Sequence, residues 1–367
     1  MLVLKTSKDA ILKPLQAVIG VVERKHTLPI LSNVLIEAAA GKAAFIATDL
    51  ELQLTAWADE AAAKDGAFTV SARKLLDICR SLPETELSLD LAGEQLKLSA
   101  GKSRFNLQTL PARDFPRLQI PEGEGVSFRL PQGRLRHLLG RVQYAMAVHD
   151  IRFYLNGMLM QLKDGQLIVA ATDGHRLAID SARLEQAPAK ELDVILPRKA
   201  VVELIKLLGD GDAAVEVQVS PNQVVVRSDH FELRSKVVDG KFPDYQRVIP
   251  TGHDKDFVIG RQSFNQALTR AAILTNEKYR GVRLALTSGS LRIVCSNNEQ
   301  EEAQEELDID YDKAPLDIGF NVQYLQDVLN NLDCETVRCS FGDPSSSLLI
   351  TVPGEDNFRY VVMPMRI

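Results

Sequence analysis

Apolar residues recur at helical spacing in three separate stretches of the chain. Ile11, Leu12, Leu15, Val18, Ile19 and Val22 form one stripe, Leu135, Leu138, Leu139, Val142 and Met146 a second, and Phe264, Leu268 and Ala271 a third. A short strand pattern precedes each: LeuValLeuLysThr, ValSerPheArgLeuPro and AspPheValIleGly. Alternating segments follow, as at Phe128/Leu130, punctuated by turn signals such as Ala40-Gly41, Asp164-Gly165 and Ser288-Gly289. A second apolar helical run then opens at Arg73-Lys74, at Arg198-Lys199 and at Asn321.

The order is the same each time, at a period of roughly 125 residues, so each copy is expected to be a whole domain with its own core. Copies one and two share further detail. ThrAspLeuGluLeu (48–52) matches ThrAspGlyHisArg (172–176), and Asp114-Phe115-Pro116 matches Lys241-Phe242-Pro243. The third copy is more diverged, with SerGlySerLeuArgIleValCysSer at 288–296. The pattern predicts an α+β chain of three repeated domains, each of two helices packed on antiparallel sheets. Their expected bounds are 1–125, 127–253 and 254–367, with linkers near 122–125 and 251–254.

Composition permits this and narrows the rest. The chain has 367 residues, 45% hydrophobic and 25% charged, ordinary globular values. No apolar run reaches the ~20 residues that span a bilayer. The segment MetLeuValLeuLysThrSerLysAsp lacks a signal-peptide layout, because charges interrupt its apolar residues. Cysteines 79, 295, 334 and 339 form no CxxC and have no histidine nearby. That argues against zinc and against a disulfide framework, and fits a reducing cytoplasm.

Net charge is −6, but it is unevenly spread. Lys8, Lys13, Arg24 and Lys25, and the pairs Arg73-Lys74 and Arg198-Lys199, belong to or flank the helices, and His137, Arg141 and Tyr144 lie opposite the second stripe. Glu299, Glu301, Glu302, Glu305 and Glu306 gather in copy three. A basic pair at a helix N-terminus opposes the helix dipole, which costs ~0.3–1 kcal/mol per charge at the surface. Its recurrence in two copies points to a role. Basic helices beside acidic strands would attract phosphate on one face. With no base-reading motif in the chain, that attraction would be blind to sequence.

Reaction chemistry is poorly represented. Asp173 and His175 invite a general-base reading, but copy one keeps the Asp and replaces the His region with Leu50-Glu51. A recurring Asp after a strand is better read as a turn carboxylate. There is no GxSxG, HExxH, GxxxxGK[ST] or GxGxxG. A hydrolase built on Asp173 and His175, and a three-domain adaptor that does not bind DNA, stay as alternatives at this point.

Six motifs carry a family resemblance: Thr27-Leu28-Pro29-Ile30-Leu31, Tyr154-Leu155-Asn156-Gly157, Ala171 through Leu177, Asp239 through Tyr245, Asn276 through Arg283, and Tyr360 through Ile367. Together they make the whole chain resemble the bacterial sliding clamp, the beta subunit of the replicative DNA polymerase. The resemblance implies a head-to-tail homodimer closed around duplex DNA. It also implies tethering of the polymerase and other partners through short hydrophobic peptides, ring opening by a clamp-loader ATPase, and no catalysis, cofactor or metal in this chain. Taken with the recurring basic pairs, it makes Arg24, Lys25, Arg73, Lys74, His149, Arg152, Tyr154, Arg198 and Lys199 the expected DNA contacts. A peptide pocket is implied at Leu155, Thr172, Gly174, His175, Arg176, Leu177, Pro243, Val248, Ser346, Val361, Val362, Met363, Pro364, Met365 and Arg366. A dimer contact is implied at Lys74, Phe105, Leu107, Ile273, Leu274, Glu299 and Glu302. The sequence departs from the family at Ile367, where Leu is frequent, and in a more charged 20–26 segment. The helix starting at Asn321 carries no Lys or Arg.

Overall fold

A computed structural model describes residues 2–23, 28–58, 62–83, 86–119, 125–186, 190–276 and 278–366. Six α-helices occur among them: α1 (Lys8–Val18), α2 (Ala72–Ser81), α3 (Gln132–Val142), α4 (Arg198–Leu207), α5 (Arg261–Ala271) and α6 (Val322–Asn331). The three strand–helix openings follow the hydrophobic pattern, with strands Leu2–Ser7, Val126–Pro131 and Lys255–Gly260 leading into α1, α3 and α5. The stripes face inward: Ile11, Leu15 and Val18, Leu135, Leu138 and Leu139, and Phe264 and Leu268 are all fully buried. Burying each such side chain contributes roughly 1.5–3 kcal/mol. Side-chain caps start two of the helices. Ser7 Oγ accepts from Ala10 N–H at 3.3 Å, and Asn321 Oδ1 accepts from Gln323 N–H at 2.9 Å. Met146 lies beyond the end of α3, after a 3₁₀ turn at Gln143–Ala145.

The chain divides into two compact units, and their boundaries cut through the second repeat. The first comprises Met1–Gly133 and Val202–Val237, the second Arg134–Val201 and Val238–Ile367. The physical cause is strand pairing from one repeat to the next. In the first unit, strand Phe231–Lys236 pairs antiparallel with Leu52–Ala58, Leu233 opposite Leu54. A single run of thirteen strands results among the described residues. In the second unit, Arg176–Arg183 pairs with Arg359–Val362, Leu177 opposite Val361. That joins eight strands, and a separate sheet has four.

The recurring aromatic-Pro step has one structural use in both copies. Phe115 packs with Leu35 and Ile46. Phe242 packs with Leu159, Ala170, Leu177, Ile195 and Val361. Each aromatic pins the segment after its last strand to a sheet of its own unit.

Candidate functional site

The repeated ThrAsp motif forms the same hydrogen-bonded turn twice. Thr172 Oγ1 donates to Arg176 O at 2.6 Å and accepts from Gly174 N–H. Asp173 Oδ1 accepts from the N–H groups of His175 and Arg176. In copy one, Thr48 Oγ1 donates to Leu52 O and accepts from Leu50 N–H, while Asp49 Oδ1 accepts from Glu51 and Leu52. The aspartate is thus a turn carboxylate, as its recurrence predicts. Gly174 sits at φ 91°, and a Cβ there would lie 3.2 Å from the Arg152 guanidinium. Glycine meets both demands at once. Leu50 takes the same position in copy one at φ 78°.

Beside the second-unit turn lies a cavity of about 230 Å³. Leu155, Thr172, Gly174, Arg176, Leu177, Pro243, Val248, Val361 and Met363 line it, joined by Arg152, Tyr154, Asp244 and Tyr245. Its walls come from three sources. The turn and strand Arg176–Arg183 give the floor, Phe242 and Tyr245 anchor one wall, and the Arg359–Val362 strand supplies Val361. Tyr245 is held by its hydroxyl, which donates to Gln161 Oε1 at 2.7 Å. The mix of aliphatic, aromatic and thioether groups suits a hydrophobic side chain.

Arg176 fixes one end of the cavity. It is 9% exposed and donates to Asp173 Oδ2 at 3.0 Å, to Asp327 Oδ2 at 2.5 Å and to Tyr144 O at 2.7 Å. Burial opposes its charge, but Tyr360, Asp327 and Asp173 more than offset this and raise its pKa above the ordinary arginine value. Tyr360, buried beside it, donates to Tyr324 O, and burial pushes its phenol up.

Several residues assigned to the pocket by resemblance do not line this cavity. His175 is exposed, and its ring stacks on Tyr324 with centroids 6.4 Å apart. Val362 is fully buried, its side chain part of the core. Ser346 Oγ donates to Asp343 Oδ2 at 2.8 Å. Past Met363, whose N–H donates to His175 O, the chain turns to the four-stranded sheet, where Met365 N–H donates to Gly319 O. Pro364 and Arg366 flank that bond, Arg366 exposed. Four lining residues fall outside the pocket set that the resemblance implies: Arg152 and Tyr154, which it assigns to DNA, and Asp244 and Tyr245, which stand in the quoted motif directly after Pro243.

The basic residues are more committed than the sequence suggests. Arg73 Nη2 donates to Val22 O at 3.1 Å, and Arg198 Nη1 donates to Met146 O at 3.1 Å. The arginine of each repeated pair thus ties its helix to the end of the preceding helical segment, which gives the recurrence a structural use. Lys74 is exposed and Lys199 half-buried. Arg24 and Lys25 lie outside the described residues. His149 is exposed, with φ 56°. Arg152 binds Asp150 through Nε and Nη2, at 3.0 and 2.8 Å, and with Tyr154 it belongs to the cavity wall. One expectation is corrected outright. Arg141 and Tyr144 are not on a solvated helix face: both are buried. Arg141 pairs with Glu355 at 2.7 Å and Asp180 at 3.5 Å, and its Cζ lies 4.4 Å from the Phe358 ring centroid. These contacts offset part of the cost of burying the guanidinium, whose Nε has no hydrogen-bond partner.

Of the residues assigned to a dimer contact, Ile273 is 77% exposed and follows α5 in the 3₁₀ turn Ala272–Leu274, with Leu274 half-buried. Phe105 and Leu107 lie half-buried on strand Ser103–Leu110. That strand pairs with Gln95–Ala100 over residues 103–108, and its other edge is paired only at Thr109 and Leu110 among the described residues. Strand Glu302–Asp308 ends the four-stranded sheet. Glu299 and Glu302 are exposed, whereas Glu305 is held by Arg270.

Comparison with known proteins adds family and relatives. Three family models match: DNA polymerase III beta subunit N-terminal domain over 2–119, central domain over 129–244 and C-terminal domain over 246–366. The beta sliding clamp of Pseudomonas putida is 47% identical over 98% of each chain. That of Escherichia coli is 46% identical, again over 98% of each. A crystal structure of the DNA polymerase sliding clamp from Pseudomonas aeruginosa, 45% identical and covering 100% of both chains, superposes with a TM-score of 0.94. A Pseudomonas aeruginosa clamp bound to griselimycin gives 0.95 at 44% identity.

Proposed function

The chain belongs to the DNA polymerase III beta subunit family, the beta sliding clamps, and from that premise we propose that it encircles duplex DNA as a head-to-tail homodimer. It tethers the replicative polymerase for processive synthesis and performs no chemistry itself. Each chain supplies three clamp domains, 1–125, 127–253 and 254–367. The cytoplasm, where the chromosome is copied, is its place of work.

One observation supports the ring reading above others: among the described residues, two unlike open strand edges each lie next to the exposed or half-exposed apolar residues assigned to the dimer contact. Residues 103–108, with Phe105 and Leu107, form one, and Glu302–Asp308 near Ile273 and Leu274 is the other. An exposed edge invites pairing with another chain. Two different patches meeting twice about a two-fold axis would close a ring without leaving an edge free. Lys74 and the acidic Glu299 and Glu302 would then meet across the junction.

A topological link makes high affinity unnecessary. Weak attraction to phosphate from Lys74, His149, Lys199 and their neighbours is enough to centre the duplex, and tighter grip would stop sliding. The cavity around Leu155, Leu177, Val361 and Met363 receives short extended peptides with a hydrophobic end, carried by polymerases, the clamp loader and repair proteins. Asp173 is engaged by two backbone N–H groups and by Arg176, which disfavours the hydrolase alternative.

The test is retention on DNA. Loaded onto nicked circular DNA by a clamp loader, the protein should remain through gel filtration and be lost after a single linearising cut. Retention that ignores the cut would contradict a topological link.

A further inference from the structure

A second cavity lies in the first unit, apart from the peptide cavity. It measures about 490 Å³, within the usual size of small-ligand sites. Its apolar lining includes Pro14 of α1, Trp57 and Phe231. Trp57 is half-buried, and its backbone N–H donates to His230 O at 3.1 Å, which fixes the strand that carries it. The charged groups are Lys13 from α1 and Glu203 and Lys206 from α4. Glu203 is 6% exposed, and its Oε1 accepts from Lys206 Nζ at 2.7 Å. Lys13 is exposed and not paired in this way, so with Lys206 against Glu203 the groove carries a positive excess.

We infer that this groove binds a short stretch of single-stranded nucleic acid, one unpaired base stacking on Trp57 and the adjoining phosphates meeting Lys13 and Lys206. The chemistry of the groove favours this ligand. A base offers a flat π-face for the indole, and base–aromatic stacking tolerates any sequence. A phosphodiester matches a positive excess that would repel a cation. Duplex DNA keeps its bases stacked on each other, so the indole selects the unpaired strand. The inference rests on the proposed DNA role only for how such a strand reaches the groove.

Trp57 is the single tryptophan of the chain, so intrinsic emission reports on this groove alone. The full-length protein is titrated with an eight-nucleotide oligothymidylate, with a duplex of the same length, and with inorganic phosphate. The expected result is saturable change in Trp57 emission by the oligothymidylate only. Two phosphate contacts imply a log–log salt slope of about −1.4. Labelled-oligonucleotide anisotropy should show binding about 10-fold weaker for Trp57→Ala and nearly unchanged for Trp57→Phe, which keeps a stacking ring. Lys13→Glu, at an exposed position and with its fold checked by circular dichroism, should also weaken binding. An unchanged emission overturns the inference, as does an equal response to duplex or to phosphate alone, or equal loss in the two Trp57 variants. Retention on circular DNA is measured on the same proteins, so failure of the ring reading and failure of the groove are seen separately.

Discussion

The guanidinium of Arg176 sits over the ring of Tyr324, its Cζ 4.5 Å from the ring centroid. A residue of the cavity-forming turn is thereby fastened to α6, whose Asp327 also accepts from it. The hydrogen bonds continue: Gln323 Nε2 donates to Asp327 Oδ1, and Arg280 Nη1 donates to Gln323 Oε1. Arg176 therefore acts twice, as a wall of the cavity and as a bolt between its turn and a helix of the third repeat.

Replacing Arg176 by Ala leaves Asp173 and Asp327 without their charged partner. Breaking such a pair costs ~3–5 kcal/mol when fully buried. Both carboxylates keep some solvent here, so about 3 kcal/mol is expected. Arg176→Lys should recover little, because an ammonium cannot make the forked contacts or the stack. Urea unfolding followed by circular dichroism checks both variants. A loss below ~1 kcal/mol for the alanine variant would show that the bolt is not structural.

Asp150 and Arg152 give a pH-dependent prediction. Hydrogen bonds from the Arg152 side chain, and then from its backbone N–H, hold the Asp150 carboxyl down at about 2, against an ordinary 3.8. The folded pKa is depressed, so the contact stabilises the loop above the ordinary value and is lost as pH falls from there toward about 2. A carboxyl-carbon NMR titration should place the Asp150 midpoint near 2, and Arg152→Ala should return it toward 3.8. The same pair bears on DNA. Asp150→Ala removes the carboxylate partner of Arg152, which keeps only its bond to Asp173 O, and one added phosphate contact would steepen the log–log salt slope by about 0.9. An unchanged slope would remove Arg152 from the DNA-contacting set.

Much of this was legible because periodicity is a property of the chain itself. Stripes such as Ile11–Leu15–Val18 and Leu135–Leu138–Leu139 name their own buried faces. The turn role of Asp173 was legible because Asp49 repeats it without the histidine. Arg141 was not legible: its partners Asp180 and Glu355 are remote in sequence, and on a helical wheel a buried, paired arginine looks like a solvated one. Arg73 and Arg198 have a structural use that the sequence alone did not show. Their repetition records a shared bond to the carbonyls of Val22 and Met146, which serves folding whatever else it serves. The cavity was legible in outline through its motifs, but which side chains face it depends on strand alternation. Val361 and Val362 are neighbours on one strand and point to opposite faces. The tie that holds the chain after Phe115 in copy one was invisible too. There Leu118 N–H donates to Gln53 Oε1 and Arg234 Nη1 donates to Leu118 O, binding the chain after Phe115 to the sheet.

His175 and Met363 separate the cavity from its surroundings. Met363 lines the cavity and is 37% exposed. Truncation to Ala should weaken binding of a hydrophobic-ended peptide by roughly 1–2 kcal/mol, about 5- to 30-fold, with little change in stability. His175 stacks on Tyr324 at the surface, outside the lining. His175→Ala should therefore change peptide affinity less than Met363→Ala does, and stability by under ~0.5 kcal/mol. Fluorescence polarisation with a labelled peptide orders the two. A larger loss at His175 would move the recognition surface toward α6.

Ile273 carries the sharpest test of assembly. At 77% exposure it makes little of the fold's own core, so Ile273→Ala with Leu274→Ala should cost the chain's stability little. An apolar anchor at the centre of an interface contributes roughly 2–4 kcal/mol to association, about 30- to 1,000-fold in Kd. Sedimentation at micromolar concentration should then show monomers where the unaltered chain sediments at twice the mass. Charge should matter less: reversing the exposed Glu302 to Lys is expected to shift association by under ~1 kcal/mol, and less at high salt. A dimer that survives the double substitution, with melting unchanged, would mean that the chains meet elsewhere. The open edge at Glu302–Asp308 would then need another partner.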